Sequence, residues 1–241
     1  YGDAGGEIDE SHPCHPVNAY GRSKLETEAV CRELGVADGL EVVILRPSIV
    51  YGPFSRWWTE RFADRLLSGR WGLYKGYGEG LCNLIYVDDL VAAIWRAVRI
   101  PAAAGQTFNV NGTERVTWNR YVGALNTGLG LPPLPVVDPR QIKLRSLLLA
   151  PLRKAAEIGM AHFGPLVFKV YERFGFTRGL LRGAEKSLRT TPAAQELELY
   201  SRTGHYLAGK ATEVLGWQPR IDLERGVELS CAWLRHHGYG V

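Results

Sequence analysis

A capped helix followed by a wholly apolar strand most constrains the fold of this 241-residue chain. Asn18 is a favourable N-cap for a helix that we predict to end near Gly35. The run from Val42 to Leu45 that follows has no polar face, which is typical of a parallel strand covered on both sides. A helix that leads into such a strand predicts an α/β fold built on a parallel sheet.

The same alternation of helices and strands continues along the chain. Short apolar runs predict strands, and apolar residues at helical spacing predict helices. The predicted strands lie at 40–46, 84–87 and 107–110. The predicted helices lie at 57–67 and 223–237. Thr117 is predicted to cap a further helix. Asp88 and Asp89 follow the second strand, where carboxylates favour a helix N-terminus. We interpret them as a cap with a packing role rather than as metal ligands or catalytic acids.

A tyrosine and a lysine lie four residues apart at the start of the first helix. Tyr20 and Lys24 therefore share one helix face, where an ammonium stabilises a phenolate. A free phenol titrates near pH ~10, so action as a base near pH ~7 requires about 4 kcal/mol of such help. The same spacing recurs at Tyr206 and Lys210, but among glycines and with no buried strand after it. The first pair is predicted to be catalytic and the second structural.

Five segments follow one another in a specific order and spacing. They lie at 16–24, 45–53, 83–90, 105–110 and 210–219. Together they resemble the extended short-chain dehydrogenase/reductase superfamily, which includes the NAD-dependent epimerases and dehydratases. The resemblance implies an enzyme of Rossmann type that uses NAD or NADP.

The resemblance also assigns roles to five residues. Tyr20 is the acid/base, and Lys24 supports it and hydrogen-bonds the nicotinamide ribose. Both therefore bind the cofactor as well as acting in catalysis. Pro47, Ser48 and Ile49 occupy the strand end that lies against the nicotinamide. No metal is implied.

The resemblance divides the chain into two domains. Residues 1–55 correspond to the C-terminal part of the Rossmann domain, and residues 56–241 mainly to a smaller substrate domain, from which 83–110 return to the sheet. The family's N-terminal half, with its glycine-rich pyrophosphate turn and a catalytic Ser or Thr, is expected upstream. Residues 1–241 alone are therefore expected to form a partial parallel sheet that neither binds a dinucleotide nor turns over substrate.

Residues 138–205 match no motif of this family and are predicted to form a helical insertion. Residues 140–189 hold 11 Lys and Arg against three acids, and their apolar residues recur at helical spacing. One interpretation is an insertion packed on the substrate domain with a solvated basic rim. The other is a lid or membrane-surface element that serves an anionic or lipid-linked substrate. Both stay open at this point.

Composition limits the remaining functions. With 46% hydrophobic and 22% charged residues and no apolar run of about 18, the chain is predicted to be a soluble, cytoplasmic enzyme. Its four cysteines lack metal-type spacing, which indicates free thiols. No nucleic-acid motif accompanies the basic stretch. A small-molecule substrate is expected, with peripheral membrane contact through 140–189 and a homodimer left open.

One departure from the family pattern concerns the substrate. The resemblance implies an Arg-Asp pair that grips nucleotide phosphates, but Cys82 and Asn83 stand there instead. Either another arginine compensates, such as Arg56, Arg61 or those of the insertion, or the substrate is not a nucleotide sugar. The first prediction is an NAD(P)-dependent epimerase or dehydratase of a nucleotide-linked sugar. The alternatives are an NAD(P)-dependent hydroxyl dehydrogenase or ketone reductase acting on a sterol-like or lipid-like substrate, and a non-catalytic dinucleotide-binding relative.

Overall fold

The computed structural model describes residues 1–138, 140–144, 147–151 and 191–239. Most of the predicted insertion at 138–205, including most of the basic stretch 140–189, lies outside these residues, so its predicted helices and lid stay predictions. No helix in the described part of the chain is long and apolar enough to cross a membrane.

The described residues form short strands that alternate with helices. In chain order these are β1 (Glu7–Ile8), α1 (Ala19–Asp38), β2 (Ile44–Pro47), β3 (Ile49–Tyr51), a π-helical turn (Arg56–Glu60), α2 (Arg61–Leu67), β4 (Leu73–Tyr74), β5 (Leu84–Tyr86), α3 (Val87–Arg99), a 3-10 turn (Pro101–Ala103), β6 (Thr107–Val110), α4 (Trp118–Gly128), β7 (Val136–Val137), α5 (Ala194–Tyr200), β8 (His205–Tyr206), α6 (Gly209–Leu215) and α7 (Leu223–His236).

The strands associate as parallel pairs of segments that are distant in sequence. The pairs are β1 with β8, β2 with β6, β3 with β5, and β4 with β7. Parallel pairing of this kind requires long crossover connections, which here include helices. The predicted α/β class with a parallel sheet is confirmed.

Helix α1 begins as predicted but ends one turn later. The side chain of Asn18 accepts a hydrogen bond from the Gly21 amide, and the helix stops at Gly39, whose φ of 66° suits glycine. Gly35 lies inside the helix instead of ending it. A Cβ at Gly35 would come 2.8 Å from Val42 Cγ2. This glycine therefore serves close packing of the helix on the following segment, not chain reversal.

Strand β2 begins at Ile44, later than the predicted start at residue 40. The Leu40 amide is taken by the Gly35 carbonyl in the helix cap, and pairing with β6 starts where the Ile44 amide bonds to Gln106. Ile44, Leu45 and Arg46 of β2 are half-buried and Pro47 is exposed, whereas the strand was predicted to be fully buried. The reason is that β6 covers one edge of β2 and no described strand pairs with the other.

Two clusters of buried side chains support these elements. One is rich in aromatic residues and includes Phe62, Trp71, Trp118, Tyr121 and Tyr200, contributed by α2, α4, α5 and the β4 region. The other packs α3 and α6 against β5 and β6. The second cluster supports the β2–β6 and β3–β5 pairs, and β2 contributes to the site described below.

The two acids at the start of α3 have different environments. Asp89 is 4% exposed, and its carboxylate accepts hydrogen bonds from the amides of Arg220 (2.9 Å) and Ile221 (3.0 Å). Asp88 is exposed. The predicted packing role of Asp89 agrees with these contacts, and no cluster of metal-binding side chains occurs among the residues that the structure describes.

We expect Asp89→Asn to lower the free energy of unfolding by about 2 kcal/mol, because an amide group leaves one of the two buried N–H donors without an acceptor. Asp88→Asn removes a charge from the same helix turn and is expected to change it by less than about 0.5 kcal/mol. Chemical denaturation of both variants measures the difference. Equal losses in the two variants would contradict this assignment.

Candidate active site

A cleft of about 320 Å³ opens between the start of α1 and the carboxyl end of β2. Tyr20, Lys24 and Pro47 line it, together with Tyr1 and Arg46. Tyr20 and Lys24 come from the first two turns of α1, and Pro47 is the last residue of β2. Three of the five predicted site residues thus meet in one cleft, at the strand end where parallel sheets bind ligands.

The two predicted catalytic side chains contact each other across one helix turn. The Lys24 ammonium nitrogen lies 5.4 Å from the centroid of the Tyr20 ring. This distance is within the range of a cation–π interaction. Tyr20 is 72% exposed, so its hydroxyl is open to a molecule in the cleft. The arrangement can place a proton donor or acceptor beside a fixed positive charge.

Ser48 and Ile49 lie just beyond the cleft wall. The Ser48 hydroxyl donates to Asn111 Oδ1 (2.7 Å), and Ile49 pairs with Leu84 in the β3–β5 ladder. At Ser48 the chain passes from the β2–β6 pair to the β3–β5 pair. The predicted contact of Ser48 and Ile49 with a cofactor therefore stays a prediction.

A polar network that the sequence analysis missed attaches α1 to β2. Arg46 donates to both carboxylate oxygens of Glu28 (2.8 and 2.7 Å) and to the Tyr1 hydroxyl (2.7 Å). The Tyr1 hydroxyl donates to Asn109 Oδ1 (2.6 Å). The hydrogen bond from Arg46 lowers the pKa of the Glu28 carboxyl, and burial raises the pKa of the Tyr1 phenol.

The sequence did contain a signal for part of this network. Tyr20, Lys24 and Glu28 are spaced four residues apart and therefore share one face of α1. A carboxylate on that face needs a cation, and Arg46 interrupts the otherwise apolar strand β2. The spacing alone could not identify Arg46 as the partner, because the contact depends on how α1 packs on β2.

The second tyrosine–lysine pair has a different environment. The Lys210 ammonium donates to the Thr107 carbonyl (3.0 Å) at the outer edge of β6 and lies over the Phe108 ring. This contact gives Lys210 a structural role. Tyr206 contributes its ring to the cleft wall, 5.6 Å from the Tyr1 ring.

The positions of the expected Arg-Asp pair face away from the cleft. Cys82 is fully buried, its thiol contacts the Val116 carbonyl, and burial raises its pKa. Asn83 donates to the Gly204 carbonyl (2.8 Å) and accepts from the Tyr206 amide (3.2 Å). Both residues therefore support the loop packing and provide no cation for a ligand.

A comparison with known protein families agrees with the resemblance predicted from the sequence. Residues 1–111 match the model of the NAD dependent epimerase/dehydratase family. The match covers 111 of the 241 residues, just under half of the chain. The predicted resemblance to NAD-dependent epimerases and dehydratases is therefore confirmed.

Curated proteins that are similar to this chain differ in how much of it they match. The chain is 26% identical to the protein YbjS of Escherichia coli, over 95% of this chain and 61% of that protein. It is 25% identical to 3beta-hydroxysteroid-dehydrogenase/decarboxylase isoform 2 of Arabidopsis thaliana, over 94% of this chain and 37% of that protein. It is 32% identical to UDP-glucose 4-epimerase of Vibrio cholerae, over 50% of this chain and 38% of that protein. The chain thus spans less than two thirds of the length of these relatives.

A solved structure supports the fold. The UDP-glucuronic acid 4-epimerase of Bacillus cereus, in complex with NAD, superposes with a TM-score of 0.65 at 17% identity. The match covers 98% of this chain and 58% of that chain. At this identity the similarity establishes the fold alone, and it agrees with a partial Rossmann-type structure.

Proposed function

We propose that the full-length protein is an NAD(P)-dependent epimerase or dehydratase that acts on a nucleotide-linked sugar. The observation that carries this proposal is the pairing of Tyr20 with Lys24 on one face of a capped helix, open to a cleft that Pro47 also lines. The family of residues 1–111 supports the same chemistry. The activity is assigned to the full-length protein because the chain spans 61% or less of the relatives described above.

The residues of the cleft fit the nicotinamide end of NAD(P). The Tyr20 hydroxyl and the Lys24 ammonium are exposed hydrogen-bonding groups of the kind that ribose hydroxyls need, and Pro47 offers an exposed apolar ring at the strand end. When bound, the cofactor supplies hydride exchange with the substrate. The Bacillus cereus enzyme with the same fold is bound to NAD.

The chain's own residues would move and stabilise a proton. Tyr20 takes the proton from a substrate hydroxyl at its phenolic oxygen, or returns it to a carbonyl. The Lys24 ammonium lies 5.4 Å from the centroid of the Tyr20 ring and would place a positive charge beside the reacting residue. The bidentate contact of Arg46 with Glu28 holds α1 against β2, so Tyr20 keeps its distance from Pro47.

A second candidate is an NAD(P)-dependent dehydrogenase or reductase of a sterol-like alcohol. Two observations favour it. The Arabidopsis hydroxysteroid enzymes match 94% and 91% of this chain, whereas the Vibrio epimerase matches 50%. In addition, the buried Cys82 leaves no cation at the position where nucleotide-sugar enzymes are expected to have one.

A substrate panel tests the two candidates against each other. UDP- and dTDP-sugars and a set of sterols are incubated with the full-length protein and NAD or NADP, and cofactor reduction and sugar products are measured. We expect epimerised or dehydrated sugars and no sterol oxidation. Turnover of sterols with no response to sugars would establish the second candidate instead. The cytoplasmic location remains a prediction, and both a homodimer and peripheral membrane contact through 140–189 stay open.

A further inference from the structure

Three leucines lie exposed on the helical residues that follow β7. Residues 140–144 and 147–151 are helical, and Leu144, Leu147 and Leu148 are 56%, 69% and 68% exposed. Their spacing of three and four residues is that of side chains on one helix face, here called the leucine stripe. The proposed proton transfer does not use these leucines, and they do not line the cleft.

A side-chain cap fixes where this helical segment begins. The Asp138 carboxylate accepts a hydrogen bond from the Arg140 amide (2.7 Å), and the Asp138 carbonyl accepts one from the Ile142 amide (3.2 Å). Aspartate is among the favoured residues for such a cap. The start of the segment therefore follows from the local sequence, and this start sets which side chains point towards the protein.

The face opposite the leucine stripe is anchored in the protein. Ile142 is 3% exposed and belongs to the aromatic cluster that includes Phe62 and Trp118. Successive side chains of a helix are rotated by about 100°. This rotation directs the leucine stripe away from Ile142, in agreement with the exposure of its leucines. The buried isoleucine thus holds the segment on the surface with its leucines outward.

The charge beside the leucine stripe has one sign. Arg140 and Lys143 are exposed. Between Asp138 and Glu157 the sequence holds five Lys and Arg residues and no acid. Long cationic side chains can lay their apolar stems along a lipid surface while their charges stay in water. An apolar stripe bordered by cations is therefore complementary to an anionic lipid bilayer, which is negative outside and apolar inside.

A second exposed apolar stripe, on α3, lacks this charge pattern. Its side chains are Val91, Ile94, Trp95 and Val98. The charged residues of α3 balance one another, because two acids in its first turn stand against two arginines in its last turn. A negatively charged surface has no net attraction for such a helix. The two stripes therefore differ in charge although both are apolar and exposed.

We propose that the helical segment at 140–144 and 147–151 docks on the surface of an anionic lipid bilayer. The leucine stripe enters the boundary between headgroups and acyl chains, and Arg140 and Lys143 lie at the level of the lipid phosphates. A segment bound in this way lies in the plane of the membrane surface. This inference goes beyond the proposed function and does not depend on its substrate class.

Flotation of the full-length protein with lipid vesicles tests the inference. Anionic vesicles contain equal parts of phosphatidylcholine and phosphatidylglycerol, and neutral vesicles contain phosphatidylcholine alone. We expect the protein to float with the anionic vesicles and to stay largely in solution with the neutral ones. Added salt should weaken the binding, because it screens the lipid charge. Absence of binding to the anionic vesicles, or equal binding to both kinds, would overturn the inference.

Variants of the segment assign the binding to its two components. Leu147→Gln combined with Leu148→Gln should weaken binding to anionic vesicles at least about tenfold, because two apolar side chains no longer enter the bilayer. Arg140→Gln combined with Lys143→Gln should weaken it by about the same factor through the loss of two charges.

The matched control is Val91→Gln combined with Val98→Gln, which removes two exposed apolar side chains from α3. This control should leave vesicle binding unchanged. An equal loss of binding in the control and in the leucine variant would contradict docking through the leucine stripe, as would unchanged binding of the leucine variant.

Thermal melting without lipid tests whether the leucine stripe is instead covered by another part of the full-length protein. Replacement of exposed leucines should leave the midpoint nearly unchanged, whereas a clear drop in the leucine variant would show that these leucines pack inside the protein and would overturn the inference. Turnover of water-soluble substrates reports on the proposed function and should be the same in the leucine variant and the wild type. The two proposals can therefore fail separately.

Discussion

Tyr20→Phe in the full-length protein is expected to reduce turnover by at least about a hundredfold, the low end of what a general acid or base contributes. The substitution removes the hydroxyl that would carry the proton and keeps the ring that contacts Lys24. Because Tyr20 is 72% exposed, the thermal midpoint should stay the same. Steady-state kinetics on the substrate found in the panel measure the effect.

The two lysines of the repeated spacing provide a control for this expectation. Lys24→Met should also lower turnover, because the charge beside Tyr20 is lost. Lys210→Met should leave turnover unchanged, since Lys210 contacts the Thr107 carbonyl at the edge of β6. Near-normal activity of Tyr20→Phe, with the cofactor bound, would show that another group carries the proton.

Glu196→Ala is expected to lower the free energy of unfolding by about 3 kcal/mol, because it leaves a buried cation without its carboxylate. The partner, Arg65, is 1% exposed within the aromatic cluster and donates to Glu196 Oε1 at 2.7 Å and to the Tyr200 hydroxyl at 3.0 Å. Denaturant unfolding measures the loss. The Arg115–Glu7 pair has similar geometry but is exposed, so Glu7→Ala should cost less than about 1 kcal/mol.

The Arg65–Glu196 pair also predicts how the stability of the folded state changes with pH. Burial pushes the pKa of Glu196 upward, but the charges of Arg65 and Arg61 outweigh it and hold the pKa below the ordinary value of 4.5. A carboxyl with a lowered pKa stabilises the folded state above its unfolded pKa and loses that contribution in acid. The stability difference between the wild type and Glu196→Ala should therefore shrink as the pH falls below about 4.5. A constant difference down to pH ~3 would contradict the ion-pair explanation.

The sequence by itself determined the features that depend on near neighbours. The cap at Asn18, the cap at Thr117 and the strand Thr107–Val110 occur as predicted, because capping and strand patterns depend on side chains within a few residues. Parallel pairing followed from the alternation of helices with apolar runs. The shared face of Tyr20 and Lys24 followed from helix geometry alone.

Only the tertiary structure decided the features that join distant segments. The sequence could not tell that Gly35 packs against Val42 inside a longer helix, because a glycine that packs closely and one that ends a helix look alike along the chain. Nor could it pair Arg46 with Glu28. Such contacts arise from the combined packing of many side chains, and no short stretch of sequence encodes that sum.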